Sequence, residues 1–326
     1  MLTGPITRRS RGSNPAPAIV LRMENIHTLL FYKFITLKNV NEIAEKQKQI
    51  CDSIGLKGKI LLAEEGINGS VSGAQEQVEA YKTEMKKDEF FSDIIFKEEI
   101  GSLMPFERMV VKVKKEIIRL DIPLDVKKTG KHISPEEFLD LYNKNEEITV
   151  LDARNNYESQ IGKFKDAITP DIKTFREFPK VAEMLKDKKD KKIVMYCTGG
   201  IRCEKASAYL IEQGFKDVSQ ISGGIITFCQ KLPETLWEGK CFVFDDRLIS
   251  PVNQKQPLLE KCVACESSCD LYKNCRNAIC NKRISICRDC KTKFNGCCSQ
   301  ACLEEFKLKC KEKEISNRKL SINVNA

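Results

Sequence analysis

The sequence predicts a multidomain α/β protein in three parts: an N-terminal α+β unit, a central α/β unit on a parallel sheet, and a cysteine-rich C-terminal segment. Three observations predict it. Residues 28–97 run in the order β-α-β-β-α-β, with a further strand at 109–115. Strands and helices then alternate from Ser134 to Ile221, the pattern of a parallel sheet. Ten of the 16 cysteines crowd between Cys262 and Cys302. At 326 residues the chain has room for two or three domains, each able to bury its own core. The boundaries expected are a disordered extension over 1–22, an α+β domain over 23–121 and a linker over 122–131. An α/β domain over 132–245, a cysteine-rich region over 246–310 and a basic tail over 311–326 complete the division.

The opening stretch carries Arg8, Arg9, Arg11 and Arg22, three prolines and no acid, which suits an unstructured leader before an internal start at Met23. Thr28–Thr36 is strand-like, Val40–Ile54 helical, and Gly58–Glu64 with Gly66–Ser72 reads as two strands around a turn. Ser72-x-x-Gln75 has the form of a capping box for a second helix running to about Lys87. Asp93–Lys97 and Met109–Lys115 supply further strands, and the order is that of a ferredoxin-like (acylphosphatase-like) fold. Within it, Glu64-Glu65-Gly66-Ile67-Asn68-Gly69 reads either as a polar turn or as a group that orients a substrate.

After the Pro-, Lys- and Gly-bearing linker, Ser134-Pro135-Glu136-Glu137 starts a helix with a cap, an N1 proline and a capping-box glutamate. Ile148–Leu151 is the next strand, followed by Asp152-Ala153-Arg154. Ligand sites of parallel sheets lie at the carboxyl ends of strands, so Asp152 and Arg154 are expected beside the main site as pocket residues or as a structural turn. Lys186–Lys192, with five lysines and two aspartates, reads as a solvated loop.

The main site follows. Ile193–Tyr196 is a short apolar run fit for a buried strand, and Cys203–Gln213 carries helix formers that end at Gly214. Between them lies Cys197-Thr198-Gly199-Gly200-Ile201-Arg202. A strand turning abruptly into a helix aims several backbone N–H groups at one point, with the positive end of the helix dipole behind them. Gly199 and Gly200 suit such a cradle, since glycine takes positive φ freely. Those amides and Arg202 favour a thiolate on Cys197, a candidate nucleophile; the alternative is a buried structural cysteine.

This loop resembles that of rhodanese-type domains. Phosphatases of related architecture have one more residue between Cys and Arg, so Cys197-x4-Arg202 favours sulfur chemistry over phosphate. The longer string from Tyr196 to Ser207, with an N-terminal domain before it and a cysteine-rich tail after it, resembles the bacterial tRNA uridine hydroxylase family. The resemblance implies oxygen-dependent conversion of the wobble uridine to 5-hydroxyuridine, molecular oxygen as co-substrate, and Cys197 with Arg202 at the catalytic centre. It also implies a tRNA anticodon loop as partner, with no obligatory protein partner evident. The loop alone supports a second activity equally well: a sulfurtransferase carrying a persulfide on Cys197 to a thiol or tRNA acceptor.

The tail pairs its cysteines as Cys262-x2-Cys265, Cys275-x4-Cys280, Cys287-x2-Cys290 and Cys298-x3-Cys302. Four thiolates complete a tetrahedral zinc shell, so eight ligands predict two closed structural zinc sites. The pairs combine either in sequence or interleaved, first with third and second with fourth. Cys269 and Cys297 are spares, and an iron–sulfur cluster is the competing metal reading. Basic residues among the knuckles, such as Arg276, Arg283 and Lys291, form a candidate phosphate-facing strip.

Composition bounds the rest. A formal charge of +9 is a modest excess, compatible with a polyanionic partner but below that of a dedicated nucleic-acid clamp. No apolar run reaches about eighteen residues and no secretory leader opens the chain, so a cytoplasmic protein without membrane contact is expected. The only histidines, His27 and His132, do not form a His-x-Asp pattern, which argues against a 2-His-1-carboxylate iron site. No Gly-x-Gly-x-x-Gly follows a strand, so no flavin or nicotinamide site is evident.

Overall fold

The structure, a computed structural model, describes residues 25–144, 146–269 and 272–310. The extension expected over 1–22, the start at Met23 and the basic tail over 311–326 lie outside the described residues.

The N-terminal domain runs β1 (Ile26–Phe34), α1 (Val40–Ile54), β2 (Lys57–Ala63), β3 (Gly66–Gly73), α2 (Gln75–Lys86), β4 (Phe96–Gly101) and β5 (Met109–Val113). The sheet order is β4-β1-β3-β2-β5. Its first four strands pair antiparallel in the ferredoxin-like arrangement, and β5 adds a parallel edge strand beside β2. Strand side chains alternate between faces, and here the alternation decides where function lies. Leu29, Phe31, Ile60, Leu62, Ile67 and Val71 point one way, into a core with Val78, Tyr81 and Met85 of α2. Leu30, Tyr32, Leu61, Asn68, Ser70 and Lys97 therefore point the other way. They sit on the sheet face that α1 and α2 leave open.

One expected cap is corrected. The Ser72 hydroxyl donates to Thr28 Oγ1 at 2.9 Å, inside the sheet, because β3 stays paired with β1 through Gly73. The helix starts three residues after Ser72, at Gln75, and the Gln77 side chain accepts from the Ala74 amide at 2.8 Å.

The central domain contains β6 (Lys131–Ile133), α3 (Pro135–Asn143), β7 (Ile148–Asp152), α4 (Asn156–Ile161), β8 (Gly162–Phe164), α5 (Phe178–Met184), β9 (Lys192–Tyr196), α6 (Ile201–Glu212), β10 (Asp217–Ile221) and α7 (Gly224–Lys231). Its sheet is parallel, in the order β6-β10-β9-β7. One face buries Ile193, Met195 and Val218 with Phe178 and Leu210. The opposite face buries Val194 and Tyr196 with Phe138, Phe228 and Trp237, the last from β11 (Trp237–Gly239), which pairs with β8.

The segment expected as a linker over 122–131 is docked rather than free. Ile122 and Leu124 pack on the first of these cores, which also buries Leu120, and the Gly130 amide donates to Ser207 Oγ at 2.8 Å. Polar ties close the open sheet face onto the central domain. Lys205 of α6, 2% exposed, pairs with Glu65 at 2.8 Å and Glu116 at 2.6 Å. Asn68 Nδ2 donates to the Ile117 carbonyl at 3.0 Å, and the Ile117 amide donates to Glu65 Oε1 at 2.7 Å. Within the Glu64–Gly69 stretch, Glu65 thus ties the two domains through Lys205, while Asn68 holds the segment after β5.

The tail holds a hairpin of β12 (Tyr272–Asn274) and β13 (Arg283–Ser285), the short α8 (Arg288–Lys293) and a helix over 300–310. Its apolar content is two small clusters, one around Ile284 and Ile286 and one around Leu303.

Candidate active site

β9 delivers Cys197 to the carboxyl edge of the parallel sheet, and α6 begins four residues later. The turn between them is held from behind. Ile225 and Ile226 at the start of α7 donate to the carbonyls of Cys197 and Thr198, at 3.0 and 3.2 Å. This contact requires Gly224, whose Cβ, were there one, would lie 2.4 Å from the Cys197 oxygen. Gly200 has φ +105° and stands against Tyr32, 2.7 Å from the hydroxyl to an added Cβ. Gly199 differs from expectation: its φ is not positive, and an added Cβ would meet open space.

The Gly200 amide donates to Cys197 Sγ at 3.1 Å. Burial alone would push this thiol up; the Cys203 thiol, the Arg202 charge and the amides of Arg202 and Cys203 outweigh it and bring the Cys197 pKa down to about 6. A thiolate therefore predominates at neutral pH. Burial instead raises Cys51 and Cys229 to about 12, which makes them inert structural thiols.

Arg202 does more than face the sulfur. Its guanidinium forks onto Glu158, Nη1 to Oε2 at 2.6 Å and Nη2 to Oε1 at 2.7 Å, and Nη2 also donates to Thr198 Oγ1 at 3.3 Å. Glu158 is fully buried; the sequence marks it only as the end of the Asp152–Glu158 segment, whose charged residues are expected to position substrate or fix the loop. The available signal was Asn155-x-x-Glu158, a capping box in α4 that places this carboxylate at the loop: the Asn155 amide donates to Glu158 Oε2 at 3.1 Å.

Asp152 and Arg154 take the structural alternative. Both are fully buried, with Arg154 Nε on Asp152 Oδ1 at 2.9 Å and Nη2 on the Gly162 carbonyl at 2.6 Å. The guanidinium lies over the rings of Trp237 and Tyr196, at 5.2 and 5.6 Å. Neither residue lines the cavity in front of Cys197. The turn after β7 points them back into the domain, where they brace the strand ends.

That cavity measures about 740 Å³ and lies between the two domains. One wall is Cys197, Thr198, Gly199, Ile201 and Arg202; the other is the open sheet face, with Tyr32, Asn68, Ser70 and Lys97. Phe244, 58% exposed, sits at its edge with its ring 5.5 Å from the Arg202 guanidinium. Lys59, Lys114 and Lys115 line it as well. Tyr32 donates to Glu204 Oε1 at 2.9 Å, and Glu204 also bonds His132, Thr129 and Gln220. Sequence reasoning missed Tyr32, Lys97 and Glu204, which reach the site from strands and helices far apart in the chain.

The eight tail sulfurs gather in two interleaved quartets. Cys262, Cys265, Cys287 and Cys290 form one, Cys275, Cys280, Cys298 and Cys302 the other, each with all sulfurs within 4.8 Å. Cys265–Cys287 and Cys280–Cys298 are both 3.7 Å apart. A tetrahedron with metal–sulfur bonds of about 2.3 Å has edges of about 3.8 Å, so the quartets fit a four-thiolate metal shell. Backbone amides support the sulfurs, Cys290 N–H to Cys287 Sγ at 3.4 Å and Cys298 N–H to Cys275 Sγ at 3.3 Å. Cys269 and Cys297 are buried and stand outside both quartets.

A low-pKa thiol in an amide cradle at the carboxyl edge of a parallel sheet, facing a second domain across a cavity, is the arrangement of a rhodanese-type fold. The family comparisons agree part by part: residues 26–117 match a UPF0176 acylphosphatase-like domain, 134–231 a rhodanese-like domain and 238–303 a "Rhodanase C-terminal" model. Relatives named tRNA uridine(34) hydroxylase from Streptococcus pyogenes serotypes M6 and M12 are each 42% identical over 86% of this chain and 88% of theirs. The chain belongs to the tRNA uridine(34) hydroxylase family. Among solved structures, the rhodanese-like domain of an Anabaena protein aligns with 34% of this chain and 80% of its own, at 20% identity and a TM-score of 0.29. A rhodanese-related protein from Thermoplasma volcanium covers 31% of this chain and 93% of its own, at 26% identity and a TM-score of 0.26. No described helix is long and apolar enough to cross a membrane.

Proposed function

We propose that this protein hydroxylates the wobble uridine of tRNA to 5-hydroxyuridine, with molecular oxygen as co-substrate and Cys197 as the reacting thiolate. The observation that carries the reading is the interdomain cavity, which pairs a low-pKa thiol with a sheet face of mixed apolar and polar residues in a volume suited to one nucleoside. Unstacked loop bases are the ones that can be splayed into such a pocket, which favours the anticodon loop over a helical stem. Lys59, Lys114 and Lys115 then meet the flanking phosphates, Phe244 offers a ring for stacking, and binding weakens with salt.

Arg202, locked by Glu158, holds the loop in shape and keeps positive charge beside the sulfur. The two cysteine quartets hold zinc in a structural role, the thiolate set and closed geometry leaving no position for substrate. The working compartment is the cytoplasm, where thiols remain reduced. The test is nucleoside mass analysis of tRNA from cells lacking the protein, with Cys197→Ser as complement. Loss of 5-hydroxyuridine and its derivatives supports the reading; loss of thiouridine with 5-hydroxyuridine intact replaces it with persulfide transfer.

A further inference from the structure

Lys97 is the unusual group in the cavity. It is nine-tenths buried on β4, directly opposite Leu30 of β1, and lines the same space as Cys197. Among the described residues no carboxylate forms an ion pair with it, and its ammonium lies over the Tyr32 ring, 4.8 Å from the centroid. Lys205, the other deeply buried lysine, holds two carboxylates. A buried ammonium without a partner is costly unless something else supplies one. Two further buried polar atoms on the cavity walls also lack partners, Ser70 Oγ and Asn155 Oδ1. An unused acceptor on one wall of the cavity and unused donors on the other match in kind the uracil edge, where N3–H donates between two accepting carbonyls.

We propose that Lys97 is a catalytic residue that hydrogen-bonds O4 of the target uracil while Cys197 adds to C6. The inference rests on the uridine-directed reading above and assigns its first chemical step. The sulfur lone pair forms the S–C6 bond, the C5=C6 pair moves to C4–C5, and the C4=O pair becomes an enolate oxygen held by the Lys97 ammonium. Donors aimed at charge that develops during reaction are the most effective form of electrostatic catalysis. C5, now electron-rich, accepts a solvent proton; return of the other C5 hydrogen to solvent and expulsion of the thiolate restore uracil. No oxidant or reductant is consumed, so this partial reaction proceeds without oxygen and reads out as exchange at C5.

The groups facing Lys97 give the exchange a pH signature. Tyr32 of β1 lies under the lysine, Cys197 at the loop and Glu204 of α6, itself bonded to Tyr32, act on its charge, and Arg202, Lys59, Lys114, Lys115 and Glu116 line the same cavity. Burial lowers Lys97 to about 8, while the Cys197 thiolate and Glu204 act in the opposite direction. Exchange should rise with pH through about 6 as Cys197 ionises and fall through about 8 as Lys97 loses its proton.

The experiment uses the full chain and an anticodon stem-loop RNA with a wobble uridine, in deuterated buffer without oxygen, with a parallel hydroxylation assay in air. Mass analysis should find one deuterium at C5 with the natural protein and none with Cys197→Ser. Lys97→Met should exchange about 100-fold more slowly and lose the alkaline fall, while binding the RNA within about threefold. Lys97→Arg, which keeps the charge, should recover part of the rate. Hydroxylation in air without anaerobic exchange overturns the inference and leaves the proposed function standing; exchange without hydroxylation does the reverse. A Lys97→Met protein that exchanges like the natural one removes Lys97 from the step.

Discussion

The Cys197 loop and the cysteine tail use the same side chain in opposite ways. At Cys197 a packed domain exists first, and the fold presents one sulfur to amides, to a charge and to a cavity. In the tail the order is reversed. The apolar clusters around Ile284 and Leu303 are small, and the cysteines themselves occupy much of them. There, with metal bound as proposed, the sulfurs would make the fold. A thiolate built by a fold is available for chemistry, whereas thiolates that build a fold are consumed by it.

Removing one atom tests the first half of that contrast. Cys197→Ser should lower tRNA hydroxylation by at least about 1,000-fold, since a removed nucleophile leaves only binding and positioning. The thermal unfolding midpoint should stay within a few degrees, because a hydroxyl fits the same amide cradle. A fully active serine protein, or one that no longer folds, breaks the comparison.

Metal removal tests the second half. The purified chain should contain about two zinc ions, and a strong chelator should release both and unfold the region from Cys262 onward, because binding and folding free energy are one quantity at such sites. Cys197 should not notice. Its alkylation by a small thiol reagent should keep a midpoint near about pH 6, the rate falling as acid protonates the sulfur. Loss of Cys197 reactivity with the metal would show that the two regions are coupled.

A smaller effect belongs to the support beneath the loop. Glu158→Gln leaves the buried Arg202 guanidinium without its counter-charge and should cost about 3–5 kcal/mol of unfolding free energy, read from the denaturant midpoint. A fully exposed pair such as Lys186–Glu183, screened by solvent, should leave the midpoint unmoved when broken.

How much of this was legible in the sequence follows from distance along the chain. The loop is a local object, six residues between a strand and a helix, and the knuckle pairs are local too, so spacing alone exposed both. The arrangement of the first domain followed from its element order, β-α-β-β-α-β, and side-chain alternation along those strands fixes the open face. What remained hidden was assembly: Glu158 meets Arg202 across 44 residues and Tyr32 meets Glu204 across 172. Lys97 read only as the end of a strand, and nothing local announces that its face turns to the thiolate. For Asp152 and Arg154 the strand-end rule left two readings open, pocket or structural turn, because it could not say which way the turn aims them.

The smallest expected effect concerns the spare cysteines and sharpens the tail's side of the comparison. Cys297 is fully buried beside Leu303, and its sulfur stands outside the quartet of Cys275, Cys280, Cys298 and Cys302. If sulfur count alone organised the segment, this adjacent thiol would substitute for a lost ligand; if geometry does, it cannot, because its position is set by packing. Cys297→Ala should therefore keep the full metal content and lose only about 1–2 kcal/mol of packing. Cys298→Ala, one residue along, should lose one of the two ions, since three sulfurs do not close a tetrahedral shell. Equal metal loss in the two variants would show that Cys297 is a ligand, and that the tail chooses its sulfurs by proximity rather than by the knuckle pairing.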